Sequence, residues 1–587
     1  MITGGITKEI TKEITRGILA GDVSVAQTKF ISTWLTTNAG ISANDEIALP
    51  VEATSTFPFD VIYNGSVIKT VTAVGDNVVI FPDGSGSKTI EIDAPIDGFT
   101  FNNGGDKLKI TSVSNCGQLK VGNSGGYFRG CTNLDWAATD NLNLSGTTNF
   151  HNAFSGILSV SGSMNGWNTS TIITLEACFA GSKANPLING WDVSNVTTIQ
   201  SMALNAINFN SPLNQWITTN LIDCSLAFAN SAFNQPINTW NVSLVQQMDK
   251  MFFDTPFNQD LDLWDVSSVT TFANMFAVTP FNSSVAGWVL SSATTIEFIF
   301  SSSSFNNSSI TTWDVGNVEN FSEAFSGTSM NQNISVWNMI SATNLSGMFL
   351  TNAVFNQPVG VWNVSNVTNL NSTFKNATAF NQALNAWDTS SVVDMGETFS
   401  NSGFNQPLNS WNTSLVTDMN SMFSNTSFNQ AIGVWDVQSV VNMSGMFFGS
   451  AFNQAINSWV TTALENMQSM FQNSVFNQPI NLFDTSNVTN MSATFDSNTV
   501  FNQDISALDY SQVTSFDFFG IFGFLKGATA FSTANYDLLL IALDAQTVQS
   551  GLTFDVASQY SVGAATTARA NLIANDSWVI NDLGQAP

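Results

Sequence analysis

The chain carries one histidine, His151, in the stretch N-F-H-N-A-F, and four cysteines, Cys116, Cys131, Cys178 and Cys224. Nucleophilic catalysis needs a base beside the nucleophile and a third group to orient it. His151 stands without a serine, cysteine or carboxylate at a spacing that announces such a set. The cysteines lie 15, 47 and 46 residues apart with no C-x-x-C pair, so a zinc site is not expected. Cys178 and Cys224 read as buried free thiols, while a Cys116–Cys131 disulfide stays open. There is no glycine-rich phosphate loop and no nucleophile elbow. The expectation is a protein without catalytic residues, metal or cofactor: not an enzyme.

One set of polar residues remains. The position after each recurring aromatic holds Asp192, Asn241, Asp265, Asp314, Asn338, Asn363, Asp388, Asn412, Asp436, Asp484 and Asp509, with Ile217, Val289 and Val460 between them. On stacked strands such residues would form a column with neighbours ~4.8 Å apart. Like charges that close repel, and alternation with Asn lowers the cost. Three roles fit the column. It can face a glycan or a protein, hold a hard cation, or accept hydrogen bonds from its own turns.

What positions this column is a repeat. Phe404 to Phe423 reads F-N-Q-P-L-N-S-W-N-T-S-L-V-T-D-M-N-S-M-F, and Phe428 to Phe447 reads F-N-Q-A-I-G-V-W-D-V-Q-S-V-V-N-M-S-G-M-F. The central aromatic recurs from Trp167 through Trp459, Phe483 and Leu508 take the same slot, and every step is 24 or 25 residues. A fixed short period marks units that bury their apolar side only against neighbours. The run I-x-x-W-D-V predicts a short strand with Trp and Val inward and Asp outward. The following M-x-x-M-F spacing predicts one or two helical turns, capped by hydroxyls such as Ser243, Ser267, Ser365 and Ser414. The Asn of F-N-Q, at Asn381, Asn405, Asn429 and their equivalents, suits a ladder that satisfies backbone groups of adjacent coils. The predicted fold is a β/α solenoid, leucine-rich-repeat-like, of about 15 coils over 161–527.

These units resemble the BspA-like leucine-rich-repeat surface proteins of bacteria and protists. Phe355 to Phe374, F-N-Q-P-V-G-V-W-N-V-S-N-V-T-N-L-N-S-T-F, is close to that family's recurring form throughout, and the resemblance covers roughly 150–525. Phe101–Lys109 and Phe128–Leu134 look like the family's lead-in, and Thr533–Asp582 like its closing module. The resemblance implies adhesion or surface interaction rather than chemistry.

Outside the repeats, residues 1–22 carry Ile6, Ile10, Ile14 and Ile18 four apart, with no apolar core of a signal peptide. This stretch reads as a docking arm, similar to those of tailed-phage structural proteins. Alternating runs over 23–100 predict an immunoglobulin-like β-sandwich. Residues 101–160 then serve as a leading cap for the first coil, and 528–587 as a C-terminal α/β cap with helical patterns at Thr533–Gln549 and Ala564–Asn575. The formal net charge of −28, with only 10% charged residues, argues against nucleic acid and an anionic membrane, and the run L-L-L-I-A-L is too short to cross a bilayer, so no membrane insertion is expected. The expected protein is a phage virion fibre or capsid decoration protein at the virion surface. Its arm would join other virion proteins, its repeats would touch a host-surface glycan or protein, and homo-oligomers are open to it. A bacterial cell-surface adhesin is the alternative, and an extracellular glycan-active enzyme the weakest reading.

Overall fold

A computed structural model describes residues 29–587, so the arm isoleucines Ile6, Ile10, Ile14 and Ile18 lie outside the described residues. The chain divides into two compact units. One runs up to Leu221 and includes Asn230–Gln235; the other comprises Ile222–Ala229 and Pro236–Pro587.

The first unit opens with strands β1 (Phe30–Leu35), β2 (Glu46–Ala48), β3 (Phe59–Tyr63), β4 (Ser66–Val71) and β5 (Val78–Ile80). β6 (Ser87–Ile92), β7 (Ile96–Asp97), β8 (Ile110–Asn115), β9 (Leu119–Lys120) and β10 (Asp135–Trp136) follow. Among the described residues of 23–100 the expected two-sheet sandwich does not form. One six-stranded sheet, ordered β10-β8-β1-β6-β3-β4, dominates, with β2–β5 and β7–β9 as separate pairs. The reason lies in β1, whose residues alternate between buried Phe30, Ser32 and Trp34 and half-buried neighbours. Its two edges are taken by β6 and by β8, so the sheet extends into the 101–160 segment that was expected to be a separate cap. Behind it the buried Asp106 accepts the Ile41 and Ala48 N–H groups at 2.7 and 2.6 Å. Lys109 Nζ donates to the carbonyls of Ser42, Ala43 and Glu46, so this buried pair is fully engaged in shaping one loop. Coil-to-coil bonding begins early: Phe101 N–H donates to Tyr127 O at 2.9 Å and Phe128 N–H to Ala153 O at 2.8 Å.

The repeats overturn the β/α solenoid expectation. Among the described residues the α-helices are α1 (Thr533–Ala545) and α2 (Ala564–Asn575), both beyond the repeats. The runs around the tryptophans are not strands, and coils in the second unit share only single parallel bridges, from Asp223↔Gln247 to Asn490↔Ser515. The M-x-x-M-F segment is a pair of tight turns. Met419, Ser421, Phe423 and Asn425 donate their N–H groups to the carbonyls of Asn442, Ser444, Met446 and Phe448, at 3.0, 2.8, 2.9 and 2.6 Å. Every second N–H is thus claimed by the adjacent coil and cannot close the i−4 bond of a helix. The turns require left-handed residues at Ser421 (φ 49°) and Asn425 (φ 53°), and the same slots hold Gly445 and Gly449 in the next coil. Small residues, asparagine and glycine tolerate that backbone best.

Packing then fixes the register. Phe399 and Phe404 lie ring on ring at 4.0 Å, as do Phe423 and Phe428 at 3.9 Å. Each ring also stacks on its equivalent in the neighbouring coil, 5.7 Å for Phe399–Phe423 and 6.2 Å for Phe404–Phe428. A third column runs through Trp387, Trp411 and Trp435 at 6.2 and 6.4 Å. The buried indole N–H of Trp411 donates to Leu384 O at 3.0 Å, and that of Trp435 to Leu408 O at 3.0 Å, in each case back to the preceding coil. Each coil is therefore both packed against and hydrogen-bonded to its neighbour.

The second unit ends in a module that continues the columns. Phe531 stacks on Phe501 at 6.2 Å, and Asn502 Oδ1 accepts Ser532 N–H at 2.9 Å. Ser532 caps α1 by accepting Asn535 N–H. At the other end of the helix Gln546 donates to Leu508 O and accepts Tyr510 N–H, closing the last coil. A short hairpin of β11 (Asp517–Phe518) and β12 (Phe522–Gly523) precedes α1, and β13 (Thr553–Asp555) and β14 (Val579–Asn581) pair in parallel beside the helices.

Candidate functional site

The Asp/Asn column is exposed from Asp192 to Asp484 and half-buried at Asp509, while the residue before each member is buried. Each uses Oδ1 to accept the N–H two residues on. The acceptors are Asp192 (3.0 Å), Asn241 (3.0 Å), Asp265 (3.1 Å), Asp314 (3.1 Å) and Asn338 (3.3 Å). Asn363 (3.2 Å), Asp388 (3.1 Å), Asn412 (3.1 Å), Asp436 (3.1 Å) and Asp484 (3.0 Å) do the same. The column is thus a series of side-chain-closed turns, which is why W-D-V turns away from a strand ladder. The serines expected to cap helices serve these turns instead: the Ser267 hydroxyl donates to Asp265 Oδ1 at 2.6 Å and the Ser243 hydroxyl to Asn241 Oδ1 at 2.8 Å.

Serine donors hold the carboxyls of Asp192, Asp265, Asp388 and Asp484 below the usual range, first through the hydroxyl and then through the N–H two residues on. A carboxylate depressed in the folded state contributes stability that is present above its unfolded value near 4 and is lost as pH falls through the folded value. The loss therefore belongs below about pH 4, and exposure keeps it small. Replacing Asp265, Asp314, Asp388 and Asp436 together by Asn preserves the Oδ1 acceptor. The expected melting temperature at pH 7 is unchanged or raised by up to about 2 °C, with a shallower decline in acid. A melting temperature of the native chain that drops on chelation would instead assign the column to a cation.

The other columns are internal. Asn405 N–H donates to Asn381 Oδ1 at 2.9 Å, Asn429 N–H to Asn405 Oδ1 at 3.0 Å, and Asn453 N–H to Asn429 Oδ1 at 2.9 Å. Gln430 reaches the same oxygen of Asn405 at 3.0 Å. His151 Nδ1 lies 3.3 Å from Glu176 Oε2 on the next coil, within ion-pair range but without hydrogen-bond geometry. All four cysteines are buried and unbonded. Burial pushes their thiols up, in Cys116 with a further contribution from Asp140 and in Cys224 from Asp223. No group of three or more His, Cys, Asp or Glu among the described residues is placed to hold a metal. No helix of the described residues is long and apolar enough to cross a membrane.

Among the described residues of the first unit lie two depressions of note. The larger, about 610 Å³, is lined by Glu52, Thr54, Asp97, Asn123, Ser145 and Thr147. The smaller, about 270 Å³, brings Asp192 together with Ile217, Trp191 and Gln215. In the second unit the exposed groups missed by the sequence reading stand immediately before the aromatics: Leu263 (72% exposed), Val336 (75%), Val361 (74%), Val434 (75%) and Leu482 (68%). Their signal was an apolar residue in a slot held elsewhere by Ser410 and Ser458.

This geometry defines a repeat protein whose coils are made of turns and whose polar side chains largely bind the coils to one another. One family model matches the chain five times in tandem, at residues 123–232, 227–308, 298–410, 397–478 and 450–538. The chain belongs to that family, described as Mycoplasma protein of unknown function, DUF285. No curated protein and no solved structure matches it.

Proposed function

We propose that the chain is a non-catalytic recognition protein that meets a glycan or protein surface through the face flanking its aromatic columns. The observation that carries this is the slot before the aromatics, where Leu263, Val336, Val361, Val434 and Leu482 are 68–75% exposed beside exposed Asp265, Asn338, Asn363 and Asp436, with Gly287, Thr312, Ala386, Ser410 and Ser458 in the coils between. Apolar side chains left in water at one slot of a repeat mark an interaction face, and extended stacks of repeats are used for binding. The finer reading is a virion fibre or decoration protein docked to other virion proteins through the segment of Ile6, Ile10, Ile14 and Ile18; a bacterial cell-surface adhesin of the BspA-like type is the rival. Mass spectrometry of purified virions against cell envelopes separates the two. Val336→Ser, Val361→Ser and Val434→Ser together are expected to leave thermal stability unchanged and to lower binding to host cells at least about tenfold. Undiminished binding would remove this slot from the proposal.

A further inference from the structure

The last coil of the array is longer than the others, and its surplus is apolar. In a regular coil the bridging residue and the carbonyl that receives the neighbouring phenylalanine N–H stand four positions apart, as in Asn442 and Met446. In the last coil they are Ser515 and Phe524, nine apart, and nine minus four leaves five extra residues. The surplus forms a hairpin of β11 (Asp517–Phe518) and β12 (Phe522–Gly523). At its tip Phe519 is 83% exposed, Ile521 60% and Phe522 38%, with the Phe518 ring 4.5 Å from that of Phe519. Phe519 is held at φ 56°, a region bulky residues avoid. Gly520 N–H to Asp517 Oδ2 at 2.6 Å and Ile521 N–H to Phe518 O at 3.2 Å fix that turn. None of this is needed by the core, because Phe516 and Phe524, just inside the hairpin, fill the buried slots.

We infer that the tip 518–522 is a shallow anchor for a lipid surface, inserting Phe519 and Ile521 among the acyl chains of neutral phospholipid. Three observations select this occupant. The exposed parts of Phe519, Ile521 and Phe522 amount to roughly 350 Å², well short of the ~800 Å² per partner of a stable protein interface, whereas a bilayer requires no matching shape. On a second copy, the larger depression described above is lined by Glu52, Thr54, Asp97, Asn123, Ser145 and Thr147 and offers the tip little apolar surface beyond Ala53. Anionic head groups gain little, since the neighbouring Lys526 donates to Ile521 O and lies 3.5 Å from Asp555, on a chain of net charge −28. This inference is independent of the slot before the aromatics.

The test is flotation of the full chain with phosphatidylcholine vesicles. The native chain is expected to float, and Phe519→Ser with Ile521→Ser to reduce the bound fraction about tenfold or more. Val562→Ser, at a side chain 74% exposed in the same unit, is expected to float like the native chain. Thermal unfolding of the double variant is expected to match the native protein, because both replaced side chains face water. The inference is overturned if the native chain stays in the soluble fraction, if the double variant floats equally well, or if acidic lipid is required. It is also overturned if sedimentation shows the native chain self-associating through the tip while ignoring vesicles.

Discussion

Trp411→Ala is expected to loosen its own coil and the two beside it while distant coils of the same unit hold. The indole is 4% exposed, stacks on Trp387 and Trp435 at 6.2 and 6.4 Å, and lies 6.0 Å from Phe399. Truncation removes these contacts and strands the Leu384 carbonyl that the indole N–H satisfied at 3.0 Å. The cost is about 3–5 kcal/mol. Coupling in a stack runs between neighbours, so hydrogen exchange should accelerate at the Phe399 and Phe423 amides, which bond to Met422 and Met446. The Phe252 and Phe276 amides, in coils far along the chain, should keep their protection. Uniform loosening, or none, would contradict a stack held by nearest-neighbour contacts.

Asn352→Leu is the second large effect, on the order of 2–4 kcal/mol from stranded buried groups. Asn352 is fully buried; its Nδ2 donates to Met330 O at 2.8 Å and its Oδ1 accepts Phe355 N–H at 3.1 Å. Leucine has similar bulk and no partner for either backbone group. Regular coils place a hydroxyl here instead, as Thr328 does when it donates to Phe325 O at 2.7 Å. In the coil of Asn352 the two phenylalanines, Phe349 and Phe355, stand six apart, against five for Phe423 and Phe428. Here the amide spans that turn from both sides, and Asn498 repeats the arrangement between Phe495 and Phe501; the equally long turn from Phe374 to Phe380 holds Ala377 instead and closes through backbone, Phe380 N–H to Ala377 O at 3.0 Å. Asn352→Thr is therefore expected to recover about half of the loss. Equal melting temperatures for the leucine and threonine variants would show the bond to carry no stability.

Much of the local pattern was open to reading. The 24- or 25-residue period, the inward Trp and the outward Asp follow from spacing alone, and the asparagine ladder follows from one side chain repeated where backbone needs partners. The helical pattern over Thr533–Gln549 was legible, and the helix runs Thr533–Ala545 with Ser532 as its cap. The exposed slot was harder to read: Val336 and Val437 look alike as valines flanking a tryptophan, yet the first is 75% exposed and the second 1%, and only comparison with Ser410 and Ser458 in the same slot signals the difference.

Sequence by itself determined the repeat and its aromatic columns. Tertiary structure decided what each coil is made of. The apolar spacing of D-M-N-S-M-F suits a helical turn. Set against a neighbour, Met419, Ser421, Phe423 and Asn425 find carbonyls at 2.6–3.0 Å across the gap, and the left-handed slots at Ser421 and Asn425 aim them there. Residues four apart encode both outcomes equally well. The choice between them belongs to the partner coil, which no window of one repeat contains.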